Sequence, residues 1–507
     1  MTSKIFMGDM TELMENILNN LNNDYNSLYS CTLVCRHWCK VSIPILWQNP
    51  FSFEKRPLFI SNYFSPLSED EKFVFKEFGI NTEFLKTLFN YARFLKVLDL
   101  LELEVKVKGW VDLEADETHR RSYYKPNYIP NTNYIINLLF NLLIESGATL
   151  HKLDIYFSEF FEIWPEILCS LERNEQFFSR LQHLSLSLVP DFSIEIATKL
   201  LRILAKNATK IISLKLDKFY SNYESQLFNA LICIIESQMQ LKQFSLLGED
   251  FPKEYYGIVS SLESQKKSLQ KVIIEYFSYS TLFNVLMNCE NLGILRIIYC
   301  DVKTLEARLH TLEITSCSID TSTIAQILQK SGTLLQRLKL ESVGLWIESL
   351  LLETIKSFCP NIKYLNISFF KFSTQFLEVI GNLQKLQFLT LLSLWYNVDE
   401  SKEELKIRTM QFAEILPLTL QYLDLGYSCL NPYIDVLLNQ CNAPLRKLII
   451  ESLYYEKHTK ALIEFCIQNR TLNYVSVRKN FNLDYDIRNE VETYVKLVPY
   501  EQIIVNL

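Results

Sequence analysis

One line recurs along this chain: a leucine or close substitute, two residues, a second, one residue, and a third. Its clearest copy is Leu420-Gln-Tyr-Leu423-Asp-Leu425. Others stand at Leu181-Gln-His-Leu184-Ser-Leu186, Leu309-His-Thr-Leu312-Glu-Ile314, Leu335-Gln-Arg-Leu338-Lys-Leu340 and Leu386-Gln-Phe-Leu389-Thr-Leu391. A line repeating at roughly 20–30 residues dictates one supersecondary unit stacked many times. No single copy can bury its apolar face, so its neighbours must cover it.

From Leu150 onward, copies begin at Leu150, Leu181, Ile211, Leu241, Leu269, Leu292, Leu309, Leu335, Ile362, Leu386, Leu420, Leu445 and Leu472. Between them the apolar spacing turns helical, as in Ile324, Ile327, Leu328 before Gly332, and Phe376, Leu377, Ile380 before Gly381. A period-2 strand alternating with a period-3.6 helix predicts an α/β fold, a parallel β/α solenoid. Short strands beside longer helices curve it, with the strands on the concave side. The short step from Leu292 to Leu309 leaves no room for a full helix. The long step from Leu386 to Leu420 holds a polar segment around Asp399–Glu404. A first copy, Leu95-Lys-Val-Leu98-Asp-Leu100, starts the array over 95–507. An insertion near 102–133 reads as a surface loop or hairpin, the alternative being a functional lid or partner loop, with alternation at Val105 and Val107 and a polar run from Glu114 to Lys125.

The first fifty residues lack the repeat. Asp9 with Glu12 is a capping-box-like start, followed by Leu13, Ile17, Leu18 and Leu21 at helical spacing. A second helical stretch carries Leu28, Cys31, Leu33, Val34, Cys35 and Trp38, and Pro44 begins a third short piece. So small a unit has little core of its own and is normally completed by a partner. Cys31, Cys35 and Cys39 at i, i+4 and i+8 span about 12 Å along a helix. One zinc cannot collect all three, and buried thiols are expected instead. Residues 51–94 form an aromatic-rich helical linker or cap in which Ser68 and Glu71 make a capping box.

Two resemblances follow. Met10-Thr11-Glu12-Leu13, Ile17-Leu18, Leu21, Leu28, Leu33-Val34-Cys35-Arg36-His37-Trp38 and Leu46-Trp47 resemble an F-box over residues 1–50. Met10-Thr11 stands where the family has Leu-Pro. The resemblance implies docking onto a Skp-type adaptor and, through it, a cullin ubiquitin ligase. The adaptor-binding residues carried over are Met10, Leu13, Ile17, Leu21, Leu33, Val34, Cys35 and Trp38. The array resembles leucine-rich repeats of the cysteine-containing subtype, in a protein of fungal type. Cys300 and Cys317 sit three residues past the third apolar position, where that family satisfies turn backbone groups or packs below them. Cys289-Glu-Asn-Leu292 and Cys359-Pro-Asn-Ile362 repeat its step into the next strand.

Composition narrows function by exclusion. A net charge of −7 argues against nucleic-acid binding. No apolar run approaches a membrane span, and there is no secretory pattern, so the twelve cysteines read as reduced thiols in cytoplasm or nucleus. There is no phosphate loop, HExxH or nucleophile elbow. His151, His183 and His310 lie in distant repeats and read as lone surface residues. No catalytic residue, cofactor or metal is expected.

Alternation puts the residue before the second leucine on the concave face. In five successive strands that residue is Tyr364, Phe388, Tyr422, Lys447 and Tyr474. The four aromatics are the expected substrate-binding ladder, with Trp395, Tyr396, Tyr427, Tyr454 and Tyr455 just beyond it. Lys271, Glu275, Arg296, Glu313, Arg337, Lys339 and Glu341 make the middle repeats charged, and self-pairing across strands is expected there, with a polar specificity surface as the alternative. The resulting expectation is a non-catalytic substrate receptor of a Skp–cullin–F-box ligase. The alternative is a repeat scaffold with no ligase role.

Overall fold

The computed structural model describes residues 11–22, 24–54, 56–114, 128–157, 163–188, 192–219, 225–248, 255–276, 285–286, 288–302, 308–341, 349–393, 395, 401–453, 455–478 and 485–505. Met10 and Asp9 lie outside them, as do Tyr396, Tyr454 and most of the polar run after Glu114. The chain divides into two compact units, Met1–Gln265 and Lys266–Leu507.

Among the described residues the first unit begins with three helices, α1 (Thr11–Asn19), α2 (Tyr25–Thr32) and α3 (Arg36–Leu46). Asp24 caps α2 by accepting the Ser27 N–H at 3.1 Å. The second stretch was expected to be one helix; it breaks at Leu33–Val34, because Cys35 is extended (φ −163°) as the N-cap of α3. Cys31 and Cys39 therefore belong to different helices, Cys35 is exposed and the other two are half-buried, contrary to the expected row of buried thiols. Pro44 lies inside α3 rather than beginning a new piece. Trp47 follows, buried and stacked on Tyr91 at 4.0 Å between ring centroids. The capping box at Ser68 and Glu71 starts α4 (Glu69–Glu77) as read.

The expected insertion is not a loop or hairpin in its described part. Leu100–Glu114 is helix α5, and Tyr128–Glu145 is helix α6. Leu103, Val107, Trp110 and Val111 recur at i, i+4, i+7 and i+8 and are buried, so the helical period outweighs the two-residue alternation at Val105 and Val107. Trp110 packs against Phe64 at 5.4 Å and donates to Ser61 Oγ at 2.9 Å, tying the aromatic linker to α5.

Each repeat contributes one parallel strand. The first unit holds β1 (Val97–Asp99), β2 (Lys152–Phe157), β3 (His183–Leu188), β4 (Ser213–Phe219) and β5 (Gln243–Gly248), paired in order. The second holds β6 (Lys271–Glu275), β7 (Ile294–Ile298), β8 (Thr311–Thr315), β9 (Arg337–Glu341) and β10 (Tyr364–Ser368). It continues with β11 (Phe388–Leu392), β12 (Tyr422–Asp424), β13 (Lys447–Ile450), β14 (Tyr474–Val477) and β15 (Lys496–Leu497). Register keeps like positions together: Leu338, Leu365, Leu389, Leu423, Leu448 and Val475 align and are all buried. This is a leucine-rich-repeat solenoid.

The helices form where read. Asp320 caps Thr321–Ser331 and Ser373 caps Thr374–Asn382, with Gly381 inside the latter. At Gly332 an added Cβ would meet the Phe358 carbonyl of the next repeat, so the close approach of neighbouring helices requires glycine there. The short step after Leu292 holds the two-residue strand Asp301–Val302, paired with Ser318–Ile319. In the long step the polar segment is a helix start: Ser401 and Glu404 form a capping box for Lys402–Ile415. Cys300 and Cys317 do what the resemblance implied. The Cys317 thiol donates to the Ile297 and Thr315 carbonyls at 3.4 and 3.3 Å, and its sulfur accepts the Cys300 N–H at 3.4 Å.

Candidate functional site

Two surfaces stand out, one in each unit. On the N-terminal helices, Met14, Leu18, Leu28, Val41 and Ile45 are buried and form the small core. Four large apolar side chains on these helices and the turn between them are exposed instead. Leu13 and Ile17 lie one turn apart on α1 and are 41% and 51% exposed; Leu33 and Val34, at the α2–α3 turn, are 71% and 61% exposed. Tyr29 is exposed as well. Leu21 and Trp38 are half-buried, and Cys35 is exposed at the α3 cap. Single exposed leucines are ordinary, but here five large apolar side chains, Leu13, Ile17, Tyr29, Leu33 and Val34, stay exposed around a small core.

The second surface is the strand face of the second unit, opposite its helices. Tyr364, Phe388, Tyr422, Lys447 and Tyr474 are register neighbours across β10–β14, as alternation required. Their rings follow one another at 6.3 Å (Tyr364–Phe388) and 6.1 Å (Phe388–Tyr422). The expected open ladder, however, is covered. Tyr364 is buried beneath the Arg337 guanidinium, 3.7 Å from its ring centroid. Tyr422 is 2% exposed, packed under Val498 and Ile503 together with Ile449. Phe388, Tyr500 and Val505 pack on the same cluster. Burial pushes the Tyr422 phenol upward, Asp424 adds to this, and the Val505 N–H meeting its oxygen opposes it. Only Tyr474 remains substantially exposed.

Beside this cluster lies a cavity of about 520 Å³ with a polar wall from Arg296, Glu313, Arg337, Asn366 and Asp424. Its charges self-pair, across strands at Glu313 as expected and along a single strand at Lys339. Glu313 is held between Arg296 (3.0 Å) and Arg337 (2.6 Å), and Lys339 pairs with Glu341 at 2.8 Å. Asp424, almost fully buried, pairs with Arg478 at 3.1 Å and accepts the Gly426 N–H at 2.9 Å. Burial nonetheless holds the Asp424 carboxyl above its ordinary range. Gly426 makes room for this pair, since a Cβ there would strike Arg478.

A further set of aromatics stands beyond the strand column, and of these Tyr427 is named from the sequence but Tyr276, Tyr299 and Phe369 are not. Tyr276, Tyr299, Phe369 and Tyr427 all stand two residues past the third apolar position with φ between 52° and 58°. Bulky side chains seldom adopt that left-handed backbone. Here cross-strand bonds support it, such as Tyr299 N–H to the Thr315 carbonyl at 3.0 Å and Phe369 N–H to Leu392 at 3.2 Å. Tyr299, Phe369 and Tyr427 are exposed, and Tyr276 stacks on Tyr299 at 4.7 Å. The signal was periodic, one residue beyond the stretch that alternation covers. His151, His183 and His310 precede or open separate strands, and His151 is half-buried rather than on the surface.

A three-helix segment with an outward apolar surface, followed by leucine-rich repeats, defines the class of protein. Residues 11–52 match the F-box-like family, and the chain is built as an F-box-like domain joined to a leucine-rich-repeat array. No curated protein sequence matches it. Among solved structures it resembles a chain of the Rad7 and Elc1 complex in yeast, with 13% identity, covering 80% of this chain and 93% of that one, at a TM-score of 0.35. It also resembles an LRR protein of Leptospira interrogans, with 15% identity over 72% of this chain and 91% of that one, at 0.35. The repeat architecture rests on the strand ladder itself.

Proposed function

We propose that this chain is the substrate-recognition subunit of a Skp–cullin–F-box ubiquitin ligase, acting in cytoplasm or nucleus. The observation that carries the reading is the exposure of Leu13, Ile17, Leu33 and Val34 on an F-box-like domain. Burying apolar surface contributes about 25 cal/mol per Å², so these side chains favour a partner that covers them. A Skp-type adaptor takes that place, and a cullin is reached through it. The strand face around Tyr364, Phe388, Tyr422 and Tyr474, with the rim aromatics Tyr299, Phe369 and Tyr427, holds the protein target. Its contribution is proximity: a held target meets the ligase's ubiquitin at high effective concentration. No side chain of this chain does chemistry in that scheme. Affinity capture of the full chain from cells tests it. Adaptor and cullin should accompany the wild type and be lost with Val34→Asp; their absence from the wild-type capture contradicts the ligase role.

A further inference from the structure

We infer that the face of β10–β14 is a peptide-binding groove occupied by the chain's own segment Val498–Val505, which a target peptide of similar chemistry displaces. The inference rests on the target-holding role given above to this face, but not on the adaptor.

The occupant shows what the groove accepts. Val498, Ile503 and Val505 pack on Tyr422, Ile449 and Phe388. Tyr500 lies over the Arg478 guanidinium at 3.9 Å, and Arg478 in turn is anchored by Asp424. The matching partner is a short peptide stretch carrying aliphatic side chains around a tyrosine.

The way the segment is attached favours release. Strand pairing of β15 stops at Lys496 and Leu497. Beyond them, Val498 N–H reaches the Val475 carbonyl at 3.0 Å. The bonds of Gln502 to Pro499 and of Ile504 to Tyr500 close within the segment and travel with it. Side-chain contacts, rather than a ladder of backbone bonds, hold it in place.

The groove also continues past its occupant. Ile504 and Val505 border the cavity of about 520 Å³, whose far wall carries Arg337 and Asn366. Asn366 is 7% exposed, yet its Oδ1 has no protein partner, and neither has Arg337 Nη1. One acceptor and one donor on neighbouring strands match a peptide amide. A segment serving only to seal the sheet has no use for this polar extension of the groove, whereas a longer target peptide does.

The test uses the full chain and a labelled synthetic peptide with the sequence of residues 496–505, read by fluorescence anisotropy. In the wild-type chain the tethered segment competes at an effective concentration on the order of millimolar, so the peptide binds poorly. Ile503→Asp in the chain releases the segment, and the apparent Kd should fall at least tenfold. A peptide carrying Tyr500→Ala should lose that gain. Hydrogen exchange accompanies the assay: in the variant, β12–β14 keep wild-type protection while 498–505 exchange faster. Unchanged peptide binding with the strands still protected overturns the inference. Loss of protection throughout β12–β14 also overturns it, because the segment is then an obligatory part of the core. Peptide binding without adaptor capture removes the ligase role and leaves the groove; adaptor capture without peptide binding does the reverse.

Discussion

Arg478 concentrates the electrostatics of the second unit. Its guanidinium faces Tyr500 at 3.9 Å and Tyr427 at 5.2 Å while pairing with the buried Asp424. Removing one member of such a pair strands the other charge, at about 3–5 kcal/mol. Arg478→Ala should therefore lower the stability of the second unit by that order in urea unfolding at neutral pH. The acid side of the profile has a defined sign. Burial raises the Asp424 carboxyl in the folded state, with Arg478 pulling against it. A folded pKa above the ordinary value means that the folded state binds the proton more tightly, so protonation favours folding as pH falls through the raised value. Without Arg478 that value rises further, and the deficit of the variant should shrink as pH falls toward 3.8, the unperturbed value. A deficit that is constant or grows on acidification contradicts this account of the pair.

At the scale of single elements, repeats are joined by buried polar clamps as well as by leucines. Gln238 accepts the Ile211 N–H at 2.8 Å and donates to the carbonyls of Ala208 (2.8 Å) and Ile234 (2.7 Å). Gln265 repeats the device one unit on, accepting the Leu241 N–H at 3.1 Å. Gln238→Leu leaves buried backbone groups unsatisfied, at about 1–3 kcal/mol each. It should lower the unfolding midpoint of the first unit measurably, while Gln238→Glu at low pH, where the neutral carboxyl still accepts, should cost less. The strands and most helices were legible because their apolar periods are local and belong to each segment alone. Helix α5 was legible in principle, since Leu103, Val107 and Trp110 carry its period, but Val105 and Val107 imitate a strand over a shorter window. The break before Cys35 was not legible: neither Gly nor Pro marks it. The column Tyr364–Tyr474 shows the limit most plainly. Alternation says which face Tyr422 points to, but what lies on that face comes from Val498 and Ile503, far along the chain.

In the molecule as a whole, the F-box-like domain is not a bead on a string. The Gln48 carbonyl accepts both Lys96 N–H (2.9 Å) and Val97 N–H (3.0 Å), so the end of α3 is bonded to the edge of β1. Trp47 is buried among Phe59, Tyr63 and Tyr91. Amides of α3 and β1 should therefore share one opening free energy in native-state hydrogen exchange; α3 opening far below β1 would show a loosely hinged domain. The central claim is tested most directly by titrating the purified full chain with a purified Skp-type adaptor in a calorimeter. A one-to-one complex is predicted, weakened at least a hundredfold by Val34→Asp, whose exposed site leaves folding intact. Absence of heat and of complex with the wild-type chain would contradict it.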